Sequence, residues 1–220
     1  PLWLQTRMGY IATWAGLVAA PSGVVAVFLT PFAARLMNRL DARWTATISL
    51  AAFAGSFFLR SRFTTDVDFA SLVVPMLVQG IAMSTFFVSM ITITLNGVPG
   101  QQVPQASGLY NFARITAGSF AASLVTTVWE HSATLHQSRL SEVMGATDPA
   151  FSGSLQKLQG AGLSLQQAIG AVTNQVTNQA FLLATDEIFW IAAWLMVVLI
   201  PFVWLTRKAL AGGGAAHAAD

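Results

Sequence analysis

Residues 69–113 read FASLVVPMLVQGIAMSTFFVSMITITLNGVPGQQVPQASGLYNFA, 45 consecutive positions without a charge. A helix crossing the roughly 30 Å hydrocarbon core of a bilayer needs about 20 apolar residues. The stretch therefore holds two crossings. The break between them falls at Asn96-Gly97-Val98-Pro99-Gly100-Gln101-Gln102-Val103-Pro104, a turn-rich run through which no helix passes.

Further uncharged gaps lie on both sides: 27 residues between Arg7 and Arg35, 16 between Arg43 and Arg60, 15 between Arg114 and Glu130, and 19 between Glu187 and Arg207. Five membrane helices are expected, at about 12–37, 44–61, 69–96, 106–130 and 186–206, in an all-α membrane protein. Pro21 and Pro31 are tolerable in the first, because neighbouring helices satisfy the freed backbone groups. Arg43 and Arg60, at the ends of the short second helix, are expected to reach for lipid headgroups. Pro1-Leu2-Trp3-Leu4-Gln5 reads as the end of a sixth helix and the chain as a piece of something longer.

Composition agrees. Charged residues are 9% of the 220 and hydrophobic residues 55%, against about 25% charged in an average soluble domain. Disorder is excluded by the wealth of aromatics. A net charge of +2 is too small for a nucleic-acid-binding face. With no cysteine, disulfides, thiolate catalysis and Cys-based metal sites are absent. No hydrolase, metalloprotease or nucleotide-binding signature occurs, so no catalytic residues are expected. His131 and His136, five apart beside Glu130, read as solvated residues and not as a metal site.

Sidedness follows from the basic residues. Arg35, Arg39, Arg43, Arg114, Arg207 and Lys208 fall on one side, against Arg7, Arg60 and Arg62 in the short segments of the other. The bias favours a cytoplasmic C-terminus, with residues 207–220 a flexible tail. Residues 131–185 then form one long loop on the far side of the membrane. Within it, Leu165, Ile169, Val172, Val176 and Ala180 make one helical face over 164–180, with Ser164 as N-cap. Amides (Gln166, Gln167, Asn174, Gln175, Asn178, Gln179) line the opposite face. Such a helix either packs back on its own bundle or docks a partner protein.

Polar residues inside a membrane are costly and so are candidates for function. Thr85, Ser89, Thr92 and Asn96 form one stripe on the 69–96 helix, suited to hydrogen bonds between helices. A second stripe holds Gln79, Met83, Phe86 and Met90. Soft Met beside aromatic rings suits a cavity for varied apolar molecules, though it also suits ordinary core packing. Gly118-x-x-x-Ala122 is a small-residue pattern for close helix approach. Asn111 and Arg114 complete the candidate substrate-binding set; Arg114 serves either as an interface anchor or as a partner for an anionic group. Asp186 and Glu187 are read as capping the last helix, with a proton-carrying role as the lesser reading.

The run Pro1–Gln5, Met8-Gly9-Tyr10, Ala12-Thr13-Trp14-Ala15-Gly16-Leu17 and Ala20-Pro21 resembles the major facilitator superfamily, and within it the fourteen-helix drug:proton antiporters of the EmrB type. The likeness continues through Gln79-Gly80, Thr92-Ile93-Thr94-Leu95, Asn111-Phe112-Ala113-Arg114, Ala117-Gly118-Ser119 and Asp186-Glu187-Ile188-Phe189-Trp190. The resemblance implies the C-terminal half of an efflux pump of the bacterial inner membrane, exporting hydrophobic drugs with a proton gradient as energy source and no cofactor. It also implies that the long loop faces the periplasm, where a membrane-fusion adaptor and an outer-membrane channel are the partners. The superfamily's turn Gly-x-Leu-Ala-Asp-Arg stands here as Ala34-Arg35-Leu36-Met37-Asn38-Arg39-Leu40-Asp41-Ala42-Arg43. A conformational-gating role for Arg35, Arg39, Asp41 and Arg43 therefore depends on Asp41 replacing the missing acid. The family's proton-coupling acid lies in the N-terminal half, so none is assigned here. A rival reading is a non-transporting assembly protein that recruits a periplasmic partner through residues 131–185.

Overall fold

The computed structural model describes residues 5–6, 9, 11–37, 40–63, 69–143 and 149–206, and among these there is no strand. Arg39, the segment Pro1–Leu4 and the tail 207–220 lie outside the described residues. Among the described residues, α-helices with both ends defined follow in order: α1 (Ala12–Met37), α2 (Ala42–Arg60), α3 (Phe69–Leu95), α4 (Val103–Val143), α5 (Pro149–Gly160) and α6 (Leu165–Trp204). A 3₁₀ turn at Gly100–Gln102 leads into α4. Gly97 there has φ +80°, the left-handed conformation open to glycine without a Cβ penalty.

By length and apolar composition α1, α3 and α6 can cross a membrane. The other two expected crossings, on α2 and α4, are more polar. Hydroxyls explain the polarity of α2: Thr45, Ser49 and Ser56 are all buried within the bundle. Ser89 donates to Thr45 Oγ1 at 2.8 Å, and Ser56 donates to the Pro75 carbonyl at 2.8 Å. Both bonds join α2 to α3. Within a membrane such bonds replace water as the partner of a polar group.

α3 packs between α1 and α2, and α2 packs in turn on α6. α1 approaches α3 closely at Gly80, where a Cβ would lie 2.6 Å from the Ser22 carbonyl oxygen and 2.7 Å from Val25 Cβ. Ala46 and Leu50 of α2 and Val203 of α6 form one buried cluster, flanked by Phe86, Met90, Ile93, Met196 and Ile200. A second cluster at the opposite end joins Ala15, Val18, Leu72 and Leu182, with Phe63, Met76 and Trp129 against it.

The expected loop 131–185 is largely helical hairpin. α4 continues past Glu130 to Val143 because residues 131–143 contain no Gly or Pro. α6 begins at Leu165, behind a Ser164–Gln167 capping box, and runs unbroken through the last crossing. At about 1.5 Å per residue, helices of 41 and 40 residues reach about 60 Å, twice the hydrocarbon thickness. The amphipathic face expected at 164–180 is the start of α6, with Val172 and Ala180 buried and Leu165 and Ile169 exposed. Asp186 and Glu187 consequently lie in mid-helix and cannot cap an N-terminus, which corrects that expectation.

Candidate functional site

The sequence stripe Gln79–Met83–Phe86–Met90 divides between two environments. Phe86 meets Phe53 edge-on, with centroids 5.6 Å apart, and packs with Met90 against the α2–α6 cluster. These two side chains are core contacts within the chain. Met83 is half-buried on the same helix. Gln79, a helical turn or more away, accepts a hydrogen bond from the Arg60 guanidinium.

Arg60 is not extended toward headgroups, as the sequence suggested. It is 7% exposed. Its guanidinium turns inward, donating to Gln79 and to Met76 Sδ at 3.1 Å. The rings of Phe57 and Phe189 stand 5.9 and 5.4 Å from it. The aromatic faces and the amide stabilise the cation away from water. No local feature of the sequence around Arg60 indicates this, because Gln79 and Phe189 come from two other helices.

Asn111 and Arg114 are exposed on α4, joined by a 3.4 Å hydrogen bond. Arg114 also lies 5.8 Å from the Phe87 ring, bridging α4 to α3. None of residues 103–128 is buried, and α4 otherwise stands off from α3. Leu109, Phe112, Ile115, Phe120 and Leu124 are all more than 60% exposed, a surface suited to lipid or to further protein and not to water. Gly118 meets nothing within 4 Å, so its small-residue pattern finds no helix among the described residues. From Trp129 onward α4 closes on α6: Trp129 donates to Thr185 at 2.9 Å, and Gln137 to Thr177 at 3.2 Å. His136 pairs with Glu187 at 3.3 Å. Below Trp129 α4 diverges from α3 and leaves a wedge with Asn111 and Arg114 on its α4 side, whereas Phe86 and Met90 face α2 and α6 and Gln79 holds Arg60, so the candidate residues do not line one cavity.

At the other end of the bundle, Asp41 caps α2 by accepting from the Arg43 amide at 3.1 Å. The Arg43 guanidinium donates to the Thr206 carbonyl, and Trp44 meets Trp204 edge-on at 4.9 Å. These contacts lock the start of α2 to the end of α6. Arg35 lies over its own helix's Phe32, at 5.8 Å.

No protein-family model matches the chain. Curated relatives do. The chain is 38% identical to the multidrug export protein EmrB of Escherichia coli over 99% of its own length and 43% of that protein. It is 37% identical to the fatty acid resistance protein FarB of Neisseria gonorrhoeae, with the same coverage. To the multidrug export protein EmrB of Haemophilus influenzae it is 36% identical over 94% of the chain and 41% of that protein. The chain belongs to the EmrB-type transporters of the major facilitator superfamily. It corresponds to a C-terminal portion and spans less than half the length of the curated relatives it matches. In this EmrB-type chain, both the α1–α3 contact at Gly80 and the Arg60–Gln79 pair are set at the dipeptide Gln79-Gly80.

Proposed function

We propose that this chain forms part of a proton-driven multidrug antiporter that exports hydrophobic and amphipathic compounds across the inner membrane. The observation that carries the reading is the 38% identity to a multidrug export protein along 99% of the chain. It is supported by the architecture, in which α4 stands off from α3 below Trp129 and leaves an apolar face exposed, with Asn111 and Arg114 as its polar groups. The Arg43–Thr206 end is taken as cytoplasmic and the α4–α5–α6 hairpin as periplasmic, following the positive-inside bias. The hairpin is then the surface offered to a periplasmic adaptor and, through it, to an outer-membrane channel. Rocking of this bundle against the rest of the transporter would open the wedge alternately to the two sides.

The test is expression of the full-length gene product in a bacterial host stripped of its own efflux pumps. The reading expects higher inhibitory concentrations for several chemically unrelated apolar compounds, and dye efflux that collapses when a protonophore is added. Export that persists without a proton gradient would remove the proton-driven part. Unchanged resistance to every compound in a strain with verified membrane expression would remove the whole reading.

A further inference from the structure

Asp186 stands one helical turn from Phe189, whose ring lies 5.4 Å from the Arg60 guanidinium, yet no ion pair joins Asp186 to Arg60 in this arrangement. On α6, Leu182, Asp186, Phe189 and Ala193 follow a 4-3-4 spacing that puts them on one face. Leu182 and Ala193 of that face are buried, and Phe189 is the ring against Arg60. Among the described residues Asp186 Oδ1 is buried with no hydrogen-bond partner, and so is Arg60 Nε. A carboxyl oxygen taken from water without a donor is costly unless a proton neutralises the group or a cation is brought to it. Both remedies are at hand, since Arg60 has a second partner, Gln79, to which its guanidinium is bonded here.

We infer that Asp186 is a proton-binding site of this half of the transporter, alternating between a protonated state and an ion pair with Arg60. With the proton on Asp186, Arg60 rests on Gln79, the arrangement of this structure. When the proton leaves, the Asp186 carboxylate draws the guanidinium from Gln79 across the face of Phe189. Each cycle binds and releases one proton at the carboxyl, and the switch of Arg60 pulls α2 and α6 together above the wedge. Among the described residues, charged or titratable groups lie at this end on α2, just beyond it at Arg62, and on α4, where His131 adjoins Glu130. α2 presents Arg60, α4 presents Glu130 and His136 at the same end, and Glu187 next in the chain is taken up by His136. α5 carries Lys157 as its one charge, in its last turn. α3 brings no charge to the site. This inference rests on the proton-driven reading given above.

The test uses the full-length protein in inside-out vesicles, with ethidium as the exported probe once wild-type resistance to it is established. Two signals are read: ethidium-driven collapse of a pH gradient, and ethidium counterflow, which needs no net proton movement. Asp186→Asn is expected to lose about tenfold or more of the proton signal while keeping counterflow within about twofold. Retained proton movement overturns the inference. So does loss of both signals in the same proportion, which marks a structural role. If Asp186→Asn fails to reach the membrane, Asp186→Glu carries the test: a displaced pH profile of coupling supports the site, and an unaltered one overturns it. Wild-type protein that exports ethidium without moving protons overturns this inference and the proton-driven reading together. Normal wild-type coupling that Asp186→Asn leaves unchanged overturns this inference alone.

Discussion

Trp129 on α4 donates its indole Nε1–H to Thr185 Oγ1 on α6 at 2.9 Å, at the level where the two long helices come together. Below this contact α4 carries no buried residue; above it Ala133 is buried and Gln137 reaches Thr177. The ring of Trp129 also meets Phe181 at 4.9 Å and packs on the cluster of Ala15, Val18, Leu72 and Leu182. One side chain therefore joins the hairpin to the bundle at the apex of the wedge.

Trp129→Phe keeps most of the apolar contact but removes the hydrogen bond. Thr185 retains its own bond to the Phe181 carbonyl at 2.7 Å, so nothing is left unsatisfied on its hydroxyl. The expected loss is about 0.5–1 kcal/mol, in line with interhelical bonds in membranes. Trp129→Ala should cost about 3 kcal/mol, because the apolar packing goes as well. Denaturant-unfolding midpoints in detergent measure both, and equal losses would show that the ring contributes nothing beyond the bond.

Gly80→Ala places a methyl group against the Ser22 carbonyl and Val25. A backbone carbonyl cannot turn aside, so α1 and α3 must separate, at a cost of about 1–3 kcal/mol. Val25→Ala in the same protein removes only the Cγ1 contact at 2.9 Å, because alanine keeps the Cβ, and should recover less than the full loss. Thermal unfolding of the single and double variants decides. A stable Gly80→Ala protein would mean that the two helices do not cross this closely.

Phe86→Ala and Met90→Ala remove side chains that pack between α2 and α6. Phe86 is only partly buried, so its truncation is expected to cost about 2–3 kcal/mol, below the full aromatic value. Resistance should then fall for all exported compounds together. Arg114→Ala, on the exposed wall of the wedge, should instead alter resistance compound by compound at little cost in stability. Inhibitory concentrations over a panel of drugs, read beside expression level, separate the two patterns.

His136 and Glu187 form an exposed pair, with side chains 25% and 47% accessible. Solvent screening limits such pairs to about 0–1 kcal/mol. Glu187→Gln should therefore leave the unfolding midpoint nearly unchanged, whereas Thr185→Val, beside it on α6, should lower it by disturbing the Trp129 bond. A larger loss from Glu187→Gln than from Thr185→Val would reverse that ranking.

Much of the fold is legible along the chain. The 45-residue uncharged run and its Asn96–Pro104 break divide α3 from α4, and Ser164 with Gln167 marks the start of α6. Those are local signals, since burial period and capping need only near neighbours. Residues 131–143 read as loop because they are polar, and the helix at 164–180 read as separate from the last crossing, yet polarity does not end a helix where a partner helix supplies hydrogen bonds. The candidate site was less legible. The stripe from Gln79 to Met90 is regular in sequence, but its lower members are covered by α2 and α6, which lie far away along the chain.

Charge spacing and composition alone suffice for an all-helical membrane protein and for the approximate places of its crossings, and the motif runs from Pro1 to Trp190 carry the family resemblance. Partners come only from packing. Arg60 has the sequence signature of an interfacial arginine, and it is buried because Gln79, Met76 and Phe189 arrive from two other helices to satisfy it. Asp186 looks like a cap until α6 is seen to begin at Leu165 and to turn that carboxyl toward the buried face. The physical reason is the same for both. What an ionisable group costs and does in a membrane depends on which atoms surround it, and those atoms belong to helices that the local sequence does not name.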